Sequence, residues 1–230
     1  INNFNFYNNT FYVSTDYGIS VFYLEQLEFG DTFYIGNNAG YLKVSSIIVN
    51  EQYIYASCLE NGGIRMANLD QTLIDYNNWS QIYSGSFDNL IKTGNGIYFN
   101  DSRNIYKITN GSITNVKSFN NDISDFKEDS LVFTLTFEEK CLLYDQTFTN
   151  PLIIVDNNEE NSFNTGLFAD NRLYIGSEEN GVLVYNNSAS EADASIYPNG
   201  PLENNIFSVE SKANQTLSLI HISEPTRLCR

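Results

Sequence analysis

Short apolar and aromatic runs alternate along most of this chain with brief polar turns. "TFYV", "YIYA", "GIYF" and "LYIG" are strand-length and lack the i, i+3, i+4 spacing of an amphipathic helix. Their aromatic and β-branched side chains suit a pleated, half-buried surface. The segments between them, such as "NEQ", "TDYG", "ENGG", "TNG" and "EENG", are rich in the residues that tight hairpins demand. "TGNG" at 93–96 is a further hairpin turn; no helix follows it, so it is not a phosphate-cradling loop.

The pattern recurs. Five segments share one template, anchored on Tyr12, Tyr55, Tyr98, Phe133 and Tyr174, at intervals of 43, 43, 35 and 41 residues. The strand after each anchor begins at Ile19, Ile64, Ile105, Cys141 and Val182. A repeat of about 40 residues with three or four antiparallel strands is the size of a β-propeller blade. Stacked sandwich sheets or a β-solenoid could also use such strands, but a sandwich would not require the fixed recurrence. The sequence therefore predicts an all-β fold, a partial β-propeller of about five four-stranded blades with the start of a further one.

The expected propeller fragment is 1–216, with blade cores near 4–24, 47–69, 90–108, 126–144 and 167–185 and a further blade starting near 204. "SASEADAS" at 188–195 reads as a polar loop in preference to a helical turn. The recurring anchor aromatics read as core between blades. No signal peptide opens the chain, and it starts within strand-like sequence, so part of a longer protein is expected.

Charge narrows the partners. Twelve Lys and Arg face 28 Asp and Glu, a formal net charge of −16, which argues against nucleic acid and anionic lipid surfaces. The apolar runs are too short to span a bilayer as helices. Cys58, Cys141 and Cys229 form neither a CxxC nor a metal-type set, and Cys58 and Cys141 are expected to be isolated core thiols. "NNDISDF" and "DNNEENSFNTG" gather oxygens without the spacing of a calcium loop, so no metal or cofactor is expected.

The chain's single histidine, His221, lies in "LSLIHISEPTR", which departs in composition from everything before it. Leu217–Arg227 resembles, without a mismatch, the in-frame translation of a transposon-type sequencing-library adapter. Residues 217–230 are accordingly expected to be a non-native tail that packs poorly. Without His221 a Ser-His-Asp arrangement is excluded. Paired carboxylates could still do acid–base work, but no spacing singles out a pair.

Residues 41–82 carry "IIVNEQYIYAS", a Gly-Ile turn, "ANL" and then "LIDYNNW". They resemble the N-terminal propeller of PorZ-type proteins of the type IX secretion system of Bacteroidetes. "YPNGPLENNIFSVE" at 197–210 resembles a blade-start motif shared with two-component-regulator propellers. The resemblance implies a non-catalytic scaffold at the cell surface or outer membrane, in an attachment complex with a sortase-type partner, anchoring cargo to anionic lipopolysaccharide. Cys58 and the enlarged "CLENGG" turn depart from that family's pattern. The alternatives are the periplasmic sensor propeller of a hybrid two-component regulator and, third, a propeller hydrolase or lyase.

The most distinctive stretch is Tyr76, Asn77, Asn78 and Trp79. It is the candidate surface-binding site, with Trp79 either an exposed platform for a sugar ring or an apolar staple between strands.

Overall fold

The computed structural model describes residues 1–109, 111–157, 162–186 and 192–197, and the backbone of 206–212 and 215–220. Five four-stranded antiparallel sheets follow one another along the chain, each a simple meander. Blade 1 holds β1 (Asn3–Tyr7), β2 (Thr10–Thr15), β3 (Gly18–Tyr23) and β4 (Glu28–Phe33). Blade 2 holds β5 (Val44–Val49), β6 (Tyr53–Cys58), β7 (Gly63–Asn68) and β8 (Ser80–Tyr83). In blade 3 these are β9 (Leu90–Thr93), β10 (Gly96–Asn100), β11 (Asn104–Thr109) and β12 (Ser112–Ser118). Blade 4 has β13 (Ile123–Asp129), β14 (Val132–Phe137), β15 (Lys140–Tyr144) and β16 (Ile153–Asp156). Blade 5 has β17 (Phe163–Ala169), β18 (Arg172–Ser177), β19 (Val182–Tyr185) and β20 (Ala194–Ile196). A hairpin of β21 (Ile206–Lys212) and β22 (Gln215–Ile220) starts a further blade. The fold is a partial β-propeller. Its two compact units are Ile1–Phe119, with blades 1 to 3, and Asn120–Arg230, with blades 4, 5 and the hairpin.

The anchor aromatics all fall on the second strand of their blade, and the residues predicted to follow them open or nearly open the third. Tight turns make this possible. Asn8 and Asn9, Ser130 and Leu131, and Asp170 and Asn171 take positive φ in the two-residue loops joining first and second strands. Two successive left-handed residues match the right-handed twist of the flanking strands. At Thr93–Gly96 the loop expected from "TGNG" is present, with the Thr93 hydroxyl donating to the Gly96 carbonyl at 3.2 Å.

Period-two alternation sends successive side chains to opposite sheet faces, which lets a blade such as blade 2 feed two cores. In blade 2, Ile47, Val49, Ile54 and Ala56 pack toward blade 1 with Ile19 and Val21. Ile48, Tyr55 and Ile64 pack toward blade 3 with Leu90, Ile97, Phe99 and Ile108. In the second unit Cys141, Leu143 and Val155 of blade 4 meet Phe163, Leu173 and Ile175 of blade 5. Full burial of each such aliphatic or aromatic side chain stabilises by roughly 1.5–3 kcal/mol.

Polar stitches cross the same seams. Asn2 Nδ2 donates to the Val44 carbonyl at 2.8 Å and Asn3 Nδ2 to Ser46 Oγ at 3.2 Å, while Asn5 Oδ1 accepts the Val49 amide at 3.2 Å. Between blades 2 and 3, Ser45 Oγ reaches the Phe87 carbonyl at 2.7 Å. Across the seam of blades 4 and 5, Thr165 Oγ1 donates to Asp125 Oδ2 at 2.5 Å, and Lys127 Nζ lies 3.0 Å from Thr165 Oγ1 and 3.3 Å from Asp125 Oδ2.

Cys58 and Cys141 are buried free thiols, as the sequence predicted. Burial pushes both up to about 12, against the pull of nearby Arg65 on Cys58 and of the Thr136 hydroxyl on Cys141. Among the described residues no helix is long and apolar enough to cross a membrane. Of the adapter-like tail, Leu217–Ile220 lie within β22, paired to β21. His221 and Cys229 lie outside the described residues, as does 188–191 of the predicted polar loop.

Candidate functional site

The stretch 76–79 closes the loop between β7 and β8. Asp75 Oδ1 accepts the Asn77 amide at 3.0 Å and Asn77 Nδ2 at 2.8 Å, fixing a short 3-10 turn at Tyr76–Asn78. Asn78 Nδ2 donates to the Thr72 carbonyl at 3.0 Å. The indole of Trp79 is 5% exposed, lies in the core between blades 1 and 2, and donates its N–H to the Leu73 carbonyl at 2.8 Å. Trp79 is therefore the staple and not the sugar platform, because a face sealed in the core cannot receive a ring. Tyr76 and Asn78 are half-buried, and Asn77 is exposed. Beside this loop a hollow of about 260 Å³ lies against blade 1, bordered by Tyr12, Tyr23, Asp31, Thr72 and Ile74.

A larger cleft opens between blades 2 and 3. Its volume is about 910 Å³, within the span of small-molecule sites. One wall is the β5–β6 turn with Asn50, Glu51 and Gln52; the other is the β9–β10 hairpin with Lys92 and Asn95. The turn is rigid, since Asn50 Oδ1 accepts the amides of Gln52 at 2.9 Å and Tyr53 at 2.7 Å. The rings of Tyr53 and Tyr55, 6.1 Å apart and edge to face, also line the cleft. Burial, and then the neighbouring Tyr53, raise the Tyr55 hydroxyl above its usual range, so it stays a neutral donor at physiological pH. The cleft offers amides, two phenols, one ammonium and one carboxylate over an apolar floor of Ile97 and Ile108. Such a set binds by hydrogen bonds and stacking. Sequence reading missed it because its residues come from three separated turns, each unremarkable alone.

Two carboxylates away from the cleft, Asp101 and Asp125, hold structure. Asp101 accepts the amides of Arg103 and Asn104 at 2.8 and 2.7 Å, and the Tyr106 hydroxyl at 3.0 Å. Burial, with that hydrogen bond, pushes Tyr106 up to about 12. Asp88 is raised by burial and then by the charge of Asp101. Of the two oxygen-rich stretches, Asp125 in the first is held by Thr165 and Lys127, and 158–161 in the second lie outside the described residues. No group of three or more His, Cys, Asp or Glu able to hold a metal occurs among the described residues.

Residues 1–80 match the family model of the N-terminal β-propeller domain of PorZ, of the type IX secretion system. No curated protein matches the chain. Among solved structures, PorZ, an essential bacterial surface component of the type IX secretion system of Porphyromonas gingivalis, superposes with a TM-score of 0.64 at 15% identity. That match covers 90% of this chain and 35% of PorZ, so the chain spans about a third of that protein. The extracellular domain of a hybrid two-component system from B. thetaiotaomicron gives a TM-score of 0.67 at 15% identity, over 90% or more of this chain (91%) and 30% of that one. The WD40 β-propeller domain of Doa1 gives 0.68 at 12% identity, covering 92% and 72%. At these identities the superpositions establish the propeller fold.

Proposed function

We propose, from the match of residues 1–80 to the PorZ N-terminal β-propeller family model, that the chain is a non-catalytic binding scaffold of a type IX secretion attachment complex. The family match over blades 1 and 2 carries this reading. In it, the protein works at the cell surface, on the outer membrane, where it helps hold secreted cargo on anionic lipopolysaccharide beside a sortase-type partner. The cleft between blades 2 and 3 is the concave, polar-rimmed surface such a scaffold would use, through Asn50, Gln52, Lys92 and Asn95. Stacked blades suit this task because binding residues sit on turns that a rigid sheet core positions.

The similarity to the extracellular domain of a hybrid two-component system supports a second reading, a sensor propeller. Recovering the reading frame beyond Thr216 separates the two. A second propeller followed by a sorting domain is expected. A transmembrane helix followed by a kinase domain would replace the scaffold reading with the sensor. With the intact protein in hand, capture of lipopolysaccharide and of a sortase of the PorU kind tests the partners directly.

A further inference from the structure

Blade 1 carries a row of phenylalanines across all four strands: Phe6 pairs with Phe11, Phe11 with Phe22, and Phe22 with Phe29. Phe4 extends the same face, paired to Val13. Two ring clusters make up the row, with centroids 5.0 Å apart for Phe6 and Phe11, 5.8 Å for Phe4 and Phe11, and 5.1 Å for Phe22 and Phe29, and the Phe11–Phe22 strand pairing joins them. Yet Phe4 is 62%, Phe6 52% and Phe29 72% exposed. A contiguous aromatic face of this kind marks an interaction surface and not ordinary scatter.

The strand register says what that surface is. In blade 2, Val49 pairs with Ile54 and Ile54 with Ala67, and Ile47 pairs with Ala56. The β7–β8 register, with Met66 opposite Ser80, brings Trp79 beside Ala67. Superposing the two blades on Tyr12 and Tyr55 sets Phe4 on Ile47, Phe6 on Val49, Phe11 on Ile54, Phe22 on Ala67 and Phe29 on Trp79. In blade 2 that face is the one covered by blade 1, and every one of those residues is at most 5% exposed.

We infer that the phenylalanine row is a blade-receiving face, and that its occupant is a further propeller blade of the same polypeptide. The chemistry of that blade follows from the seam already present. It presents the counterparts of Tyr12, Ile19 and Val21, the face blade 1 turns to blade 2. Its side chains there are smaller than those three, because Phe6, Phe11 and Phe22 stand where blade 2 has Val49, Ile54 and Ala67, and close packing conserves volume. The inference does not depend on the secretion reading, since it uses only register and exposure.

Hydroxyl-radical footprinting tests it on two proteins, the 230-residue chain and the product of the uninterrupted gene. In the 230-residue chain Phe4, Phe6 and Phe29 should label as exposed rings. In the monomeric gene product their labelling should drop to the level of buried Phe99. Phe29→Asp should lower the unfolding midpoint of the gene product and leave that of the 230-residue chain unchanged. A gene product without a further blade, or one whose three rings label as fast as in the short chain, overturns the inference. Protection that appears only as concentration rises, and is lost on dilution, assigns the face to a second copy and overturns it too.

Discussion

Gly166 of β17 lies so close to Thr136 of β14 that a Cβ on it would stand 2.6 Å from the Thr136 hydroxyl. The same atom would meet Thr134 Cγ2 at 3.0 Å and Cys141 Sγ at 3.1 Å. The missing side chain is what lets the inner strand of blade 5 close on blade 4. Gly166→Ala should therefore destabilise by about 1–3 kcal/mol, the usual effect of overpacking a dense core. Thermal or urea unfolding measures this, and an unchanged midpoint would show that the seam yields freely.

Trp79 is the chain's single tryptophan, so its surroundings can be read directly from fluorescence. Emission should be blue-shifted and poorly quenched by iodide. Trp79→Ala should cost about 3–5 kcal/mol, as large aromatic truncations in cores do. Trp79→Phe keeps most of the packing and gives up the bond to the Leu73 carbonyl, so it should cost far less. Red-shifted, readily quenched emission would return Trp79 to the surface.

In a Cys229→Ser background, Cys58 and Cys141 should ignore an aromatic disulfide reagent at pH 8. The thiolate is the reactive form, and burial holds both groups near 12. Stoichiometric reaction should appear only in denaturant. Fast labelling of the native protein would mean that either seam opens on its own.

The pH dependence has two arms with the same sign. Asp88 is raised in the folded state, so the native protein holds its proton longer than the unfolded chain does. Stability from this group is full below the ordinary carboxylate range and is lost as pH climbs through the raised value. Asp88→Asn should then raise the unfolding midpoint at pH 7, with the gain vanishing near pH 3. Tyr106 behaves likewise at the alkaline end: its folded form keeps the proton up to about 12, so stability should fall from about pH 10 upward. A midpoint for Asp88→Asn below that of the parent at pH 7 would contradict the assignment.

Much of the architecture was legible because the second and third strands of blades 2, 4 and 5 are largely buried on both faces. Tyr55, Phe133 and Tyr174 announce them. The outermost strands were harder to see. Ser112–Ser118 and Ala194–Ile196 are largely solvated, so neither apolar alternation nor aromatic content marks them. Ser130 and Leu131 formed a tight turn without the glycine or asparagine that usually signals one, since exposure of Leu131 and the pull of the flanking strands outweigh its intrinsic cost. At the candidate site, "DYNNW" was visible as a motif, but its role hung on burial. The cleft was invisible because Asn50, Lys92 and Asn95 become neighbours only when two blades stack.

The amides of Asn2, Asn3 and Asn5 grip Val44, Ser46 and Val49, three different heights on the neighbouring innermost strand. Grease alone would let two flat sheets slide past each other at little cost. Three keyed bonds at uneven spacing permit one alignment, and a slip of a single residue would break them together. A blade transplanted into this position would have to bring its own matching keys, so the units are alike in shape without being interchangeable.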